Sequence, residues 1–448
     1  MPKLLQMVAA MVVLTTIQIS AQTVPSSTEA ALIAKARAIH DRVIKIDTHN
    51  DIDPRHFTSE CNYTMRLTTQ VNLPKINEGD MDVSFLIVYV GQGQLTPEGY
   101  DNAYRQAIAK FDAIHRLTET IAPEKIRLAL TASDVVNLHK KGLRIAAIGV
   151  ENGYSLGTDI KRVKEFYDRG ARYMSLAHTG NSQLADSHNG EVQGYLYNNG
   201  LSPLGRQVIA EMNRLGIMID LSHPSKGANL EAIRLSKAPV IASHSTVRAL
   251  ANVTRNMDDE QLLALKKNGG VIQIIGLASF LKPDPPERAG ALTKLRQEFG
   301  IATAAGGGAR GASGCPIEDS RNSAVARGGT TGGNTTLDSL TPERRTDYNK
   351  RLDEIDAKWP AAGRASVKDL VNHIDYAVKL IGIDHVGISS DFDGGGGIEG
   401  WNSAAEAFNV SLELVRRGYS EEQIAKLWGG NLLRVWGEVE KVAKGLQK

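Results

Sequence analysis

Eight short apolar runs of strand length succeed one another along the chain, and helix-like stretches such as TDIKRVKEFYDRG separate most of them. In order, the runs are VIKIDTH, VSFLIVYV, RIAAIGVEN, RYMSLAH, IMIDLSH, PVIASHS, GVIQIIG and HVGISSDFDG. Strands that are buried on both faces of a parallel sheet read as continuous apolar runs, and alternation with helices favours such a sheet. Eight units predict an α/β fold of the (β/α)8 type, a TIM barrel, with an open doubly wound sheet as the alternative.

Ionisable side chains follow six of the eight runs, at the point where each strand would end. They are His49 and Asp51 after the first run, Glu151 after the third, His178 after the fourth, His223 after the fifth, His244 after the sixth and Asp391 after the eighth. In a (β/α)8 barrel the carboxyl ends of all the strands meet at one mouth, where active sites lie. We therefore expect these seven residues to form one site.

A metal centre explains this combination of residues. Several histidines and carboxylates at one buried mouth would be costly without a common partner, because each group loses its hydration. Imidazole and carboxylate ligands suit zinc, with manganese, cobalt or iron as alternatives. Three histidines with Asp51 and Glu151 are too many ligands for one tetrahedral zinc with an open position. They suit two metal ions about 3.5–4 Å apart, with a bridging hydroxide as nucleophile and Asp391 as the group that moves the proton.

The charge of the chain argues against some classes of partner. A net charge of +2 over 448 residues, without clusters of lysine or arginine, gives no indication of binding to nucleic acid or to an anionic membrane. Residues 1–21 have the layout of a secretory signal peptide, with one lysine, an apolar run and small residues near Ala21. We expect export to the periplasm or the medium, with an uncleaved anchor as the alternative. Residues 22–448 are then expected to form a single barrel domain.

One segment interrupts the alternation of strands and helices. Residues 282–364 are rich in glycine, alanine, arginine, serine, threonine and proline, and we interpret them as a long insertion between the seventh and eighth strands. We expect a flexible loop that is partly ordered over the barrel mouth and contains the helical stretch TPERRTDYNKRLDEIDAKW. Its glycine runs lack the Lys-Ser/Thr ending of a phosphate-binding loop. The cysteines Cys61 and Cys315 either pair or remain separate thiols, and the sequence leaves both possibilities open.

The chain resembles the membrane dipeptidase family, also called renal dipeptidases, in an exported bacterial form. The resemblance covers nearly all of residues 35–440 outside the insertion. It rests on six blocks in the family's order, namely IDTHND, GVENGYSL, LAHTGNSQLADS, GLSPLGRQVIAEMNRLGIMIDLSH, VIASHSTVRALANVTRNMDDEQL and GIDHVGISSDFDG. It implies a (β/α)8 hydrolase with two zinc ions per subunit that cleaves free dipeptides, tolerates D-residues at the C-terminal position and forms a homodimer.

The resemblance also assigns roles to residues. It implies that His49 and Asp51 bind one zinc ion, that Glu151 bridges both, and that His223 and His244 bind the second. Three further residues would act on the substrate. His178 would stabilise the oxyanion, Arg255 in NVTRNM would bind the substrate's C-terminal carboxylate, and Asp391 would act as general base and then protonate the leaving amine.

The chain departs from the family pattern after the first block. In DIDPRHF, Asp53 and His56 stand where the family usually has an aromatic pair, which leaves the side-chain preference of the substrate open. The charged C-terminal stretch EVEKVAKGLQK has no apolar tail for a glycolipid anchor, so no stable membrane anchor is expected.

Two other functions are alternatives to a dipeptidase. One is a binuclear metal hydrolase of the same fold that acts on other small amides, such as β-lactams or N-acyl amino acids. Arg255 distinguishes this hydrolase from a dipeptidase, because only substrates with a free carboxylate would need the arginine. The other is a binding protein without catalysis, which would lack a ligand. All five ligand positions and Asp391 are filled here, which argues against it.

Overall fold

The computed structural model of the protein describes residues 27–301, 315–318 and 340–448. Within these ranges nine strands form one parallel sheet. They are β1 (Ile46–Asp51), β2 (Val83–Tyr89), β3 (Ile126–Leu128), β4 (Arg144–Glu151), β5 (Ala171–Ser175), β6 (Met218–Asp220), β7 (Ile241–Ser245), β8 (Val271–Ile275) and β9 (Val386–Ser389). Eight strands follow one another in the order β1-β2-β4-β5-β6-β7-β8-β9. The backbone N–H of Asp51 donates to the carbonyl of Phe392 at 2.9 Å, which joins the first strand to the segment directly after the last strand and closes the barrel.

Helices follow most of the strands and surround the barrel. They are α1 (Ser27–His40), α2 (Leu73–Glu78), α3 (Pro97–His115), α4 (Ala132–His139), α5 (Lys161–Asp168), α6 (Gly190–Gln193), α7 (Pro203–Leu215), α8 (Lys226–Leu235), α9 (Asp259–Asn268), α10 (Ala278–Leu281), α11 (Pro286–Glu298), α12 (Pro342–Lys358), α13 (Val367–Ile381), α14 (Phe408–Arg416), α15 (Glu421–Ala425) and α16 (Asn431–Leu446). Among the described residues, none of these helices combines the length and the hydrophobicity needed to cross a bilayer.

The eight barrel strands coincide with the eight predicted apolar runs. The (β/α)8 barrel is confirmed, and the doubly wound alternative is wrong because the first strand joins the segment directly after the last strand. β3 was not predicted. It has three residues and pairs only with the first part of β4, so it is too short to produce an apolar run.

Both faces of the strands are buried against apolar side chains, which explains their continuous apolar sequences. Val83, Phe85 and Ile87 of β2 belong to the cluster inside the barrel, where the Phe85 ring lies 5.8 Å from that of Trp436 in α16. Leu86, between them in sequence, belongs to the cluster between the sheet and the surrounding helices. The interior cluster draws on residues near the amino ends of the strands, which leaves the carboxyl ends for polar side chains.

The segment at 282–364 lies between β8 and β9, and its described parts are more helical than expected. α11 and α12 contact each other through Leu295, Phe299 and Tyr348. α12 is the predicted helical stretch, whereas α11 has no strong apolar stripe that would have revealed it. The glycine-rich runs, on which the prediction of a flexible loop rested, lie outside the described residues.

Cys61 and Cys315 form a disulfide with a Cα–Cα distance of 5.4 Å, which decides between the two possibilities that the sequence left open. Residues 315–318 also bond to the loop that follows β1. The N–H of Thr68 donates to the carbonyl of Pro316 at 2.7 Å. Part of the insertion is thereby fixed beside the barrel mouth.

Candidate metal centre

The carboxylate of Glu151, the last residue of β4, lies at the centre of the barrel mouth with histidines around it. His223 Nε2 and His244 Nε2 lie 2.8 Å and 3.2 Å from Glu151 Oε1. His178 Nε2 lies 3.6 Å from the same oxygen. The other carboxylate oxygen, Oε2, lies 3.5 Å from His49 Nε2. All four predicted histidines therefore converge on one buried carboxylate.

The two predicted aspartates lie on the side of His49. Its Nε2 is 3.6 Å from Asp51 Oδ2 and 3.7 Å from Asp391 Oδ1. Glu151 Oε2 therefore faces His49 and, beyond it, the two aspartates, whereas Oε1 faces the other three histidines. Among the described residues, three groups have ligand atoms close enough to hold a metal ion. The groups are His49–Glu151–His244, Glu151–His178–His223 and His49–Asp51–Asp391. Together they contain the seven residues named from the strand ends.

Hydrogen bonds behind the site fix the orientation of two imidazoles. The Tyr173 hydroxyl donates to the carbonyl of Thr48 at 2.9 Å, so at 3.1 Å it accepts from His49 Nδ1–H. In the same way the Ser243 hydroxyl donates to Asp220 Oδ2 at 2.6 Å and accepts from His244 Nδ1–H at 2.8 Å. In both histidines Nδ1 carries a proton, and Nε2 is the nitrogen that faces Glu151.

The donor set fits divalent metal ions. His49 Nε2 is buried without a hydrogen-bond partner. His223 Nε2 and His244 Nε2 lie 2.9 Å apart beside a carboxylate oxygen. His223 Nδ1 is buried without a partner, so no hydrogen bond behind this ring prevents its Nε2 from acting as a ligand atom. Nitrogen and carboxylate donors are those of zinc and related transition metals.

The charge states of Glu151, His223 and His244 suit a bound cation, whereas Glu151 and Asp51 hold the pKa of His49 well above its usual value against the effect of burial. Burial acts to raise the pKa of Glu151, but the surrounding histidines hold it well below its usual value. Burial holds the pKa values of His223 and His244 well below their usual value. The carboxylate is therefore ionised and these two imidazoles are neutral. Burial, with the negative charges of Asp51 and Glu151, raises the pKa of Asp391 to about 8 against the effect of His49.

Two of the site residues have left-handed backbone conformations. His223 has φ +83° and Asp391 has φ +62°, and neither is a glycine. Such conformations cost free energy and occur where the surrounding structure enforces them, commonly at functional sites. Here they turn the chain sharply after β6 and β9.

Residues 33–448 match the family described as membrane dipeptidase, peptidase family M19. The chain belongs to the membrane dipeptidase family. The resemblance inferred from the six sequence blocks is confirmed.

Similar proteins support this assignment. This membrane dipeptidase is 28% identical over 391 residues to the dipeptidase tcpJ of Claviceps purpurea (strain 20.1), covering 86% of this chain and 73% of that protein. It is 28% identical over 418 residues to the dipeptidase aclJ of Aspergillus oryzae (strain ATCC 42149 / RIB 40), and the match covers 90% of this chain and 80% of that protein. The crystal structure of the probable dipeptidase PvdM from Pseudomonas aeruginosa matches with a TM-score of 0.73 and 32% sequence identity. The match covers 92% of this chain and 100% of that chain. The protein is a metal-dependent dipeptidase.

Arg255 of this dipeptidase lies beside the candidate ligand His244 and is 4% exposed. Its Nη1 donates to Ser245 Oγ and its Nη2 to the carbonyl of His244, each at 2.7 Å. Its Nε is buried without a partner. Burial lowers the pKa of Arg255 to about 10, so the guanidinium is charged at neutral pH.

Two residues of the site were missed by the sequence argument. Tyr89 ends β2, and its ring lies 4.7 Å from that of His178. Every second residue of β2 faces the barrel interior, namely Val83, Phe85 and Ile87, and Tyr89 is the next in this series. The alternation in the sequence could therefore have predicted that Tyr89 faces the mouth. Asp220, which orients His244 through Ser243, stands within the apolar run IMIDLSH, where a buried carboxylate was a usable signal.

Proposed function

We propose that this dipeptidase binds two zinc ions and hydrolyses free dipeptides. His49 and Asp51 would bind one ion, His223 and His244 the other, and Glu151 would bridge them. The observation that carries the proposal is the orientation of Glu151, whose two oxygens face different sets of ligands. A carboxylate with this orientation is suited to joining two metal ions.

The surrounding side chains then have distinct tasks. Bound zinc ions would lower the pKa of a shared water toward about 7 and so supply a hydroxide nucleophile at neutral pH. Asp391, at the rim beside His49, would be ionised by the positive charge of the bound zinc ions. It would then accept the proton and return it to the leaving amine. His178, which burial keeps neutral by lowering its pKa, donates a hydrogen bond to the oxyanion.

Arg255 defines the substrate class in this proposal. Its planar guanidinium suits the C-terminal carboxylate of a dipeptide, and its neighbours His244 and Ser245 hold it beside the metal ligands. With the carboxylate at Arg255 and the scissile carbonyl at the metal ions, the chirality of the Cα between them changes the direction of a side chain but neither contact. We therefore propose that D-residues are accepted at the C-terminal position.

Metal removal and restoration test the proposal. The purified protein is dialysed against a chelator, its metal content is measured, and hydrolysis of L-Ala-L-Ala and L-Ala-D-Ala is assayed before and after zinc is restored. We expect activity to disappear with the metal and to return on addition of two equivalents of zinc. Full hydrolysis by protein proved to be metal-free would contradict the proposal. Equal hydrolysis of the C-terminally amidated dipeptide would favour the alternative of a broader amide hydrolase.

We also propose that the protein is exported after cleavage near Ala21 and forms a homodimer. The Cys61–Cys315 disulfide supports export, because disulfides persist in oxidising compartments. Residues 1–26 lie outside the described residues. N-terminal sequencing of protein from the periplasmic fraction and light scattering of the purified protein test the two statements. An intact N-terminus or a monomeric mass would contradict them.

A further inference from the structure

Tyr89 and Lys110 form the side of the barrel mouth next to β2. The alternation within β2 directs Tyr89 toward the mouth, where its ring lies 4.7 Å from that of His178. Lys110 belongs to α3, the helix that follows β2, and its Nζ lies 5.6 Å from the centre of the Tyr89 ring. The Tyr89 ring therefore contacts both the Lys110 ammonium group and His178, the residue proposed to bind the oxyanion.

The charge of Lys110 has no dedicated partner. Across the part of the chain that the structure describes, no carboxylate lies within ion-pair distance of its Nζ. Burial lowers the pKa of Lys110, and the charges that oppose this effect come from Asp51, Glu151 and Asp53. Asp53 is already paired with Arg55 at 2.9 Å. Asp51 and Glu151 are proposed metal ligands, so bound metal ions would neutralise them.

Lys110 and Arg255 lie on opposite sides of the mouth. In the ring of eight strands, β2 and β7 are separated by β4, β5 and β6 on one side and by β8, β9 and β1 on the other. Lys110 lies over the end of β2, and Arg255 donates to the carbonyl of His244 in β7. A dipeptide with its C-terminal carboxylate at Arg255 and its peptide bond at Glu151 therefore extends its N-terminal residue toward Lys110.

We infer that Lys110 binds a carboxylate on the side chain of the substrate's N-terminal residue, so that dipeptides beginning with glutamate or aspartate are preferred. This inference rests on the proposed function, which sets the direction of the substrate. A partly buried ammonium without a counterion gains most from an anionic ligand, and a charge-assisted hydrogen bond is stronger than a neutral one.

Paired substrates test the inference. We compare kcat/KM for Glu-Ala, its uncharged isostere Gln-Ala, and Lys-Ala in the wild type and in Lys110→Gln and Lys110→Glu. In the wild type Glu-Ala is expected to exceed Gln-Ala by about tenfold or more, mostly through KM. Lys110→Gln should bring this ratio to about one, and Lys110→Glu should favour Lys-Ala. Because each ratio is measured within one variant, partial loss of folded protein cancels.

A matched control removes a positive charge elsewhere on the same helix. Arg105 is exposed on α3, and Arg105→Gln should leave the Glu-Ala to Gln-Ala ratio of the wild type unchanged. Equal hydrolysis of Glu-Ala and Gln-Ala by the wild type would overturn the inference alone. A preference that survives Lys110→Gln would overturn the assignment to this lysine. Absence of hydrolysis of every dipeptide by the zinc-loaded wild type would overturn the proposed function together with the inference.

Discussion

The carboxylate of Asp220 accepts a hydrogen bond from the Ser243 hydroxyl at 2.6 Å, and this bond fixes the tautomer of the neighbouring His244. Asp220 is buried and also accepts from the backbone N–H groups of Ser222 and Ser243. A residue that touches no ligand atom of the proposed centre thereby determines which nitrogen of His244 faces Glu151.

Asp220→Asn is expected to weaken metal binding. An asparagine amide can donate to Ser243 Oγ, which reverses the hydroxyl so that it donates to His244 Nδ1 and leaves the proton on Nε2. Loss of such an orienting group typically costs about 10–100-fold in metal affinity. Zinc affinity measured by competition with a chromogenic chelator checks this, with exposed Asp168→Asn as the control. Unchanged affinity in a folded Asp220→Asn protein would contradict the tautomer assignment.

Arg255→Met is expected to reduce hydrolysis of dipeptides selectively. Removing the guanidinium leaves the substrate carboxylate without its charged partner, a loss of about 1.5–3 kcal/mol, or about tenfold to 150-fold in kcat/KM. The C-terminally amidated dipeptide should lose much less. Metal content is measured in the same samples, because Arg255 also donates to the carbonyl of His244. An equal loss for both substrates at full metal content would exclude a role in carboxylate recognition.

His373 is expected to make the fold sensitive to acid. It accepts from the Thr246 hydroxyl at 2.6 Å and donates to the carbonyl of Leu281 at 3.0 Å, so both ring nitrogens are used in the neutral state. Burial lowers its pKa from 6.5 to about 4. Because the folded pKa is lowered, this stabilisation is complete above about pH 6.5 and is lost as the pH falls toward about 4.

The size of this effect can be measured. Between about pH 7 and about pH 5, the wild type should lose about 2 kcal/mol more free energy of unfolding than His373→Gln. Urea denaturation of both proteins in the same buffers supplies the values. Parallel losses in the two proteins would show that His373 is not the titrating group.

The Cys61–Cys315 disulfide is expected to stabilise the fold. It joins residues 254 positions apart and thus restricts the unfolded chain, an effect of typically about 2–4 kcal/mol. Cys61→Ala with Cys315→Ala should show this loss in chemical denaturation, and reductant should destabilise only the wild type. Equal stability of the two proteins with and without reductant would contradict this account.

The sequence predicted the barrel because each of its strands is buried on both faces and therefore reads as an apolar run. β3 and α11 escaped prediction because neither leaves a periodic apolar signal. β3 has only three residues, and α11 has too little apolar surface on one side.

The site was predictable as a set because the carboxyl ends of parallel strands meet at one mouth. Its supporting residues were harder to find. Asp220 acts through Ser243, and Lys110 reaches the mouth from a helix rather than from a strand end. The pairing of Cys61 with Cys315 depends on the path of the insertion, which local sequence does not encode.

Anomalous X-ray scattering from zinc-loaded crystals tests the central claim most directly. We predict two zinc peaks about 3.5–4 Å apart, one beside His49 and Asp51 and the other beside His223 and His244, with Glu151 between them. A single fully occupied peak, or two peaks that do not share Glu151, would contradict the binuclear centre.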